Sequence, residues 1–190
     1  MAFYRPESGQ LLMDGIDLQQ YDPTLLRKQI GYVPQDVNLF YGSLKDNIIP
    51  EDLRIDESDF WEVLTQCGLA KLVNRNANGV EQNVGERGSL LSGGQRQAVA
   101  MARAIMRDPA MYIMDEPTSA MDSTNEAKMK ETIKAATAGK TLIINTHRTT
   151  LLDLVERVIV VENGKVIADG KKEDVLVQFK QPSQKLKRAP

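Results

Sequence analysis

The chain has 190 residues, 42% of them hydrophobic and 26% charged, with 24 Lys and Arg against 26 Asp and Glu for a net charge of −2. That length suits one domain with a substantial core and excludes a second full one, while the near balance of charge excludes a global basic field for nucleic acid or anionic lipid. A lone cysteine, Cys67, and a lone histidine exclude an internal disulfide framework and a Cys/His zinc site, and no run approaches the roughly 20 apolar residues that span a bilayer.

Taken from the N-terminus, Arg5 and Pro6 stand among polar residues with no apolar signal core, so any tie to a membrane is expected to run through a partner. Glu7-Ser8-Gly9 reads as a turn into a strand from Gln10 to Met13, and Asp14-Gly15 as a two-residue hairpin turn into Ile16–Leu18. Asp22 caps and Pro23 opens a short helix through Lys28. Ile30 to Val33 is a strand stopped by Pro34, and Gln35 follows it, an ordinary loop residue when taken alone. Between Asp56 and Cys67, Phe60, Val63, Leu64 and Cys67 share the spacing of one helical face, with Trp61 as a packing residue; Asn74 to Gly79 reads as a polar turn.

Ser92-Gly93-Gly94 joins a good N-cap to two residues without side chains, so the N–H groups opening the next helix are free to face an anion. Ala98, Met101, Ala102 and Ile105 give that helix its buried face, and Arg107-Asp108-Pro109 ends it. The apolar run from Met111 then delivers Asp115 and Glu116 to the end of a buried strand. Carboxylates are seldom buried unless paired or bound to metal, so one of them suits Mg²⁺ and the other a water. Ser123 to Glu126 reads as a capping box for a helix whose buried face holds Met129, Ile133 and Ala136, ended by Gly139. Thr141 to Asn145 is read as the next buried strand, ending at Thr146-His147-Arg148. Arg157–Glu162, Asn163-Gly164 and Lys165–Ala168 make a second hairpin, a helix follows from about Lys172, and residues 181–190 form a polar basic tail. This alternation implies an α/β fold with a parallel sheet and sites at the strand C-termini.

Leu91-Ser92-Gly93-Gly94-Gln95 resembles the signature motif of ABC transporter ATPases, and Met111 to Glu116 resembles their Walker B strand with its catalytic glutamate. Pro117 to Asp122 is similar to the D-loop, Gln35 stands at the Q-loop glutamine, and His147 at the switch histidine. Phe40 to Ile48 resembles the segment that exporter-type members set against the coupling helices of their membrane domains, and Val84 to Gly88 resembles the exporter cross-talk loop, in which Glu86 would touch the transmembrane partner. The resemblance, to exporter ATPases of the type I secretion and peptide kind, covers nearly everything from Phe3 to about Phe179.

It implies a P-loop NTPase-like parallel sheet, a helical subdomain at about 45–106 carrying the signature, and an antiparallel hairpin region, all within 1–180. It also implies ATP and Mg²⁺ as cofactors, hydrolysis coupled to export at the cytoplasmic face of the membrane, and no nucleic acid. The partners implied are a transmembrane domain, fused or separate, and a second ATPase domain in a head-to-tail dimer. Ser92, Gly93, Gly94 and Gln95 would meet the γ-phosphate of a nucleotide held by that second domain. Asp115 would support Mg²⁺, Glu116 would be the general base, His147 the switch, Gln35 the sensor of Mg²⁺ and water, and Asp122 the link across the dimer.

The family's Walker A loop, Gly-x-x-x-x-Gly-Lys-[Ser/Thr], is absent from this sequence. Gly139-Lys140-Thr141 has its ending, but Lys134 stands where the first glycine belongs and the triplet precedes a strand; Gly164-Lys165 and Gly170-Lys171 lack the hydroxyl residue. The resemblance thus implies a domain without its first P-loop strand and helix, inactive alone, and unstable or aggregating with the neighbours of that strand left as edges. The alternative reading is a non-catalytic interaction module that donates its signature motif to a complete partner. An ABC-like ATPase of DNA maintenance is disfavoured, because the interval from Gln35 to Ser92 has no room for a coiled-coil insertion.

Overall fold

Asp14 and Gly15 both adopt positive φ, 51° and 80°, the backbone that a two-residue turn between twisted strands requires. They join β1 (Leu12–Met13) to β2 (Ile16–Asp17), with Met13 opposite Ile16. Leu18 does not extend β2: the Asp17 carboxylate accepts from Gln19 N–H at 3.0 Å and turns the chain into a 3-10 helix, Leu18–Gln20. Asp22 then accepts from the N–H groups of Thr24 and Leu25 at 2.7 and 3.0 Å, and Pro23 is the first residue of α1 (Pro23–Lys28). The computed structural model describes residues 3–50 and 52–180. Two units are distinguished, one ending at His147 and the other beginning at Arg148.

The first unit is built on three parallel strands, β3 (Ile30–Val33), β4 (Met111–Asp115) and β5 (Thr141–Asn145), in the order β3-β4-β5. Val33 pairs with Met114 and Asp115 with Asn145, so the register brings the C-terminal ends of all three strands to one edge. Between β3 and β4 run α2 (Leu44–Ile48), α3 (Glu57–Gln66), α4 (Ala70–Arg75) and α5 (Gly93–Met106); α6 (Ser123–Ala136) connects β4 to β5. The four apolar positions of α3 and its flank, Phe60, Val63, Leu64 and Cys67, are all buried.

α5 departs from the single stripe its sequence suggests. Every residue from Gln97 to Ala102 is buried, along with Ala104, because the helix lies against β3 as well as α2 and α3. Its alternating alanines keep both sides thin enough for that. The polar stretch after Arg75 begins later than expected: burial of Leu69 and Val73 holds α4 together through Arg75, and Asn76 starts the turn by accepting from Asn78 N–H at 2.9 Å. α6 is capped by Asp122 rather than by Ser123, since the Asp122 carboxylate accepts from Asn125 N–H at 2.9 Å and leaves Ser123 as the first helical residue. β5 is not a buried strand. It forms an edge of the three-stranded sheet, and Ile143 on it is 50% exposed.

The second unit holds a 3-10 helix (Thr149–Leu154), the antiparallel pair β6 (Arg157–Glu162) and β7 (Lys165–Lys171), and α7 (Lys172–Lys180). Asn163 and Gly164 make its turn with φ of 48° and 73°, and Arg157 donates twice to Asp169, both at 2.7 Å. The basic tail at 181–190 lies outside the described residues. No helix among the described residues is long and apolar enough to cross a membrane.

Candidate functional site

Glu116 follows the last residue of β4 and turns out of the strand at φ 45°, its N–H donating to Asn145 O at 2.9 Å. Left-handed backbone costs a side-chain-bearing residue roughly 1–2 kcal/mol, so the surroundings must hold this residue in place. They do so through the carboxylate, which is nearly buried at 6% exposure. Oε1 accepts from His147 N–H at 2.8 Å and faces His147 Nδ1 at 2.7 Å; Oε2 accepts from the Thr146 hydroxyl at 3.0 Å. A carboxylate oxygen only accepts, so Nδ1 carries the proton, while the ring itself is open to solvent. Burial by itself would raise the Glu116 carboxyl. The His147 N–H, the Thr146 hydroxyl and the His147 ring outweigh it and hold the group below the ordinary carboxylate range. Glu116 is therefore an anion at neutral pH, able to accept a hydrogen bond from water.

Asp115 is half-buried, and its Oδ1 accepts from Asn145 Nδ2 at 2.8 Å, which leaves the second oxygen for another partner. Gln35 is exposed and stands two residues past Val33, at the same sheet edge. Among the described residues no hydrogen bond joins it to Asp115 or Glu116. Among the described residues no group of three or more His, Cys, Asp or Glu gathers to hold a metal. One free carboxylate oxygen and one amide nevertheless match Mg²⁺, which takes few protein ligands, keeps waters and fills its shell with phosphate oxygens.

The opening turn of α5 is closed by a capping box: Ser92 Oγ accepts from Gln95 N–H at 3.2 Å, and Gln95 Oε1 accepts from Ser92 N–H at 2.8 Å. Gly93 and Gly94 occupy the first two helical positions, so no carbonyl of the helix can reach their N–H groups. Those donors and the helix dipole suit a phosphate. The lack of side chains serves a second purpose that the motif alone does not disclose. A Cβ on Gly93 would lie 3.0 Å from Ala120 Cβ, and one on Gly94 would lie 3.2 Å from Ala120 O. The glycines admit the 117–122 loop against the helix. Arg96 secures the other side of the turn, donating to Leu91 O at 2.7 Å.

Gln97 was not singled out by sequence reasoning. Its amide is buried and donates to Glu116 O at 3.2 Å and Ser119 Oγ at 2.7 Å, while its Oε1 accepts from Ala120 N–H at 3.0 Å. The available signal was a polar residue directly beside the apolar stripe beginning at Ala98. In the same loop the Thr118 hydroxyl is buried without a partner among the described residues. Asp122 spends both carboxylate oxygens on Asn125, on its N–H and on Nδ2 at 2.7 Å, so its place in the fold is that of a helix cap.

Away from the sheet edge, Asn47 organises the stretch from Phe40 to Ile48: its Nδ2 donates to Phe40 O at 2.9 Å, and Arg103 of α5 donates to Asn47 O at 2.6 Å. Phe40 and Tyr41 are 74% and 79% exposed. Glu86 is exposed on a turn whose Gly85, Arg87 and Gly88 all have positive φ.

A family profile described as ABC transporter matches residues 1–119. An export ATP-binding/permease protein of Rickettsia felis is 37% identical over 175 residues, which is 92% of this chain and 30% of that protein. The toxin RTX-I translocation ATP-binding protein of Actinobacillus pleuropneumoniae is 38% identical over 92% of this chain and 25% of its own length. Among solved structures, a bacterial Atm1-family ABC exporter with ATP bound superposes with a TM-score of 0.88 at 31% identity, covering 93% of this chain and 31% of that one. The chain thus spans about a third or less of the relatives it matches.

Proposed function

Since the chain belongs to the ABC transporter family, we propose that it is the ATP-hydrolysing part of an exporter, with Glu116 as the general base. The observation that carries this reading is the Glu116 carboxylate, ionised at the end of β4 and clamped by the two residues that follow β5. An anion held there accepts the proton of an attacking water, and the exposed His147 ring, with Nδ1–H committed to Glu116, offers Nε2 as an acceptor to that water when neutral, and as a donor to the transferring phosphoryl oxygen when the ring is cationic. Asp115, with Gln35 at the same sheet edge, would hold Mg²⁺, which when bound neutralises charge developing on the phosphates. Gly93 and Gly94 present N–H donors, with the Ser92 hydroxyl and the Gln95 side-chain amide beside them, to the γ-phosphate of a nucleotide on a second ATPase domain, head to tail with this one. Asp122, at the foot of α6, faces that domain.

The transmembrane partner docks on Phe40–Ile48 and on Glu86, at the cytoplasmic face of the membrane; the exposed Phe40 and Tyr41 rings support this. The domain spans 1–180, with its helical subdomain at about 45–106. The test is ATP turnover in the intact gene product containing this chain. Glu116→Gln is expected to lower kcat by about 10²–10⁴-fold while nucleotide binding, read by equilibrium dialysis, persists. Turnover kept within about threefold would remove the general-base role. The 190 residues on their own are expected to show no turnover, because no Gly-x-x-x-x-Gly-Lys run is present to cradle the β-phosphate.

The formed signature turn also fits a second reading, in which the chain lends Ser92–Gln95 to a complete partner ATPase. Adding the chain to such a domain would then raise its turnover, and Ser92→Ala would abolish the gain.

A further inference from the structure

Gln97 is 2% exposed, and a buried amide is destabilising unless its hydrogen bonds are made. Its three bonds all go to the short turn after β4: Nε2 to Glu116 O and Ser119 Oγ, and Oε1 from Ala120 N–H. The amide's orientation is forced, because Glu116 O can only accept and Ala120 N–H can only donate. Glu116 is the residue of that turn held at φ 45°. Its carboxylate is fixed from the β5 side by Thr146 and His147, and its carbonyl from the α5 side by Gln97. One turn earlier on α5, Gly93 and Gly94 meet Ala120 at near-contact distance. A single side chain therefore ties the candidate base to the phosphate-facing end of α5.

We infer that Gln97 is a positioning residue: it holds the Glu116 main chain, and through it the carboxylate, in fixed relation to the N-terminal turn of α5. This rests on the reading of Glu116 as general base. Gln97 touches no substrate and acts only through Glu116 and the 117–120 loop. A side chain serving only to fill space there would be replaced without loss by methionine, which has similar length and volume.

The test compares Gln97→Met and Glu116→Gln in the intact gene product, by ATPase kinetics and by amide hydrogen exchange of the 117–121 segment. For Gln97→Met, kcat is expected to fall about tenfold or more with KM for ATP changed less than about twofold, as a displaced base requires. Exchange at 117–121 should accelerate about tenfold while the 129–133 stretch of α6 is unchanged. If Gln97→Met does not accumulate folded, Gln97→Glu takes its place against the same outcomes, since it keeps the acceptor for Ala120 N–H and loses the donor to Glu116 O. An unchanged kcat, unchanged exchange, or either effect without the other overturns the inference while Glu116→Gln is inactive. Full activity of Glu116→Gln removes the reading of the base, and the inference with it.

Discussion

Glu116 combines two states that are each unfavourable for an isolated glutamate, left-handed backbone and a nearly buried charge, and both are maintained by donors from neighbouring elements. Its carboxyl titration, followed by NMR, is expected below the ordinary value of about 4.3. Thr146→Val and His147→Ala should each raise it; His147→Ala leaves the His147 backbone N–H in place, so the rise stops short of the value expected from burial alone. A group whose pKa is depressed by folding contributes stability above its unfolded pKa and loses it as pH falls through the folded value. The stability difference between wild type and Glu116→Gln in urea should therefore be constant near neutrality and shrink only in the acid range below about pH 4.3. A difference that instead grows with acid would contradict the clamp. Cys67 behaves oppositely: burial pushes its thiol up to about 12, so a thiol-reactive dye should label it only as fast as the surrounding helices open.

Between elements, α5 decides most of the packing. Removing its cap with Ser92→Ala should cost about 1 kcal/mol in urea unfolding, and Gly94→Ala should separate the helix from Ala120, because the new Cβ would press on a backbone oxygen at 3.2 Å. The contact of β3 with β4 is equally tight. A Cβ on Gly31 would lie 2.8 Å from Pro109 Cγ and 2.9 Å from the Tyr112 ring, both carried on the segment that α5 feeds into β4. Gly31→Ala is accordingly expected to cost about 1–3 kcal/mol, with no backbone penalty, since this glycine has ordinary φ. An unchanged urea midpoint would show that Pro109 and Tyr112 can move aside.

Among the described residues the parallel sheet is three strands wide, and β5 presents an unpaired edge beside the half-exposed Ile143. Edges of this kind pair with other chains. The 190-residue chain expressed alone is expected to self-associate, and Ile143→Lys, which places a charge on that edge, should shift it toward monomer in sedimentation velocity. A wild-type monomer that unfolds in one cooperative thermal transition would defeat this expectation.

The residues that determined their own structure are those whose local chemistry leaves few choices. Asp14-Gly15 and Asn163-Gly164 are turns because few other residues accept positive φ; Asp22-Pro23 starts a helix because one supplies the cap and the other the preset φ; Ile30–Val33 and Met111–Asp115 are strands bounded as their apolar runs end. The motifs point to Ser92–Gln95, Asp115, Glu116 and His147 as candidate site residues from the sequence alone. Tertiary structure alone brought His147 onto Glu116, exposed β5, and placed Ala120 against the two glycines of α5. Gln97 is the clearest case, a glutamine marked locally only by its place beside an apolar stripe, whose partners lie in the turn after β4. Turn and cap preferences act over a few bonds and are written in neighbouring residues. Burial and pairing depend on what lies across space, and only the folded chain decides that.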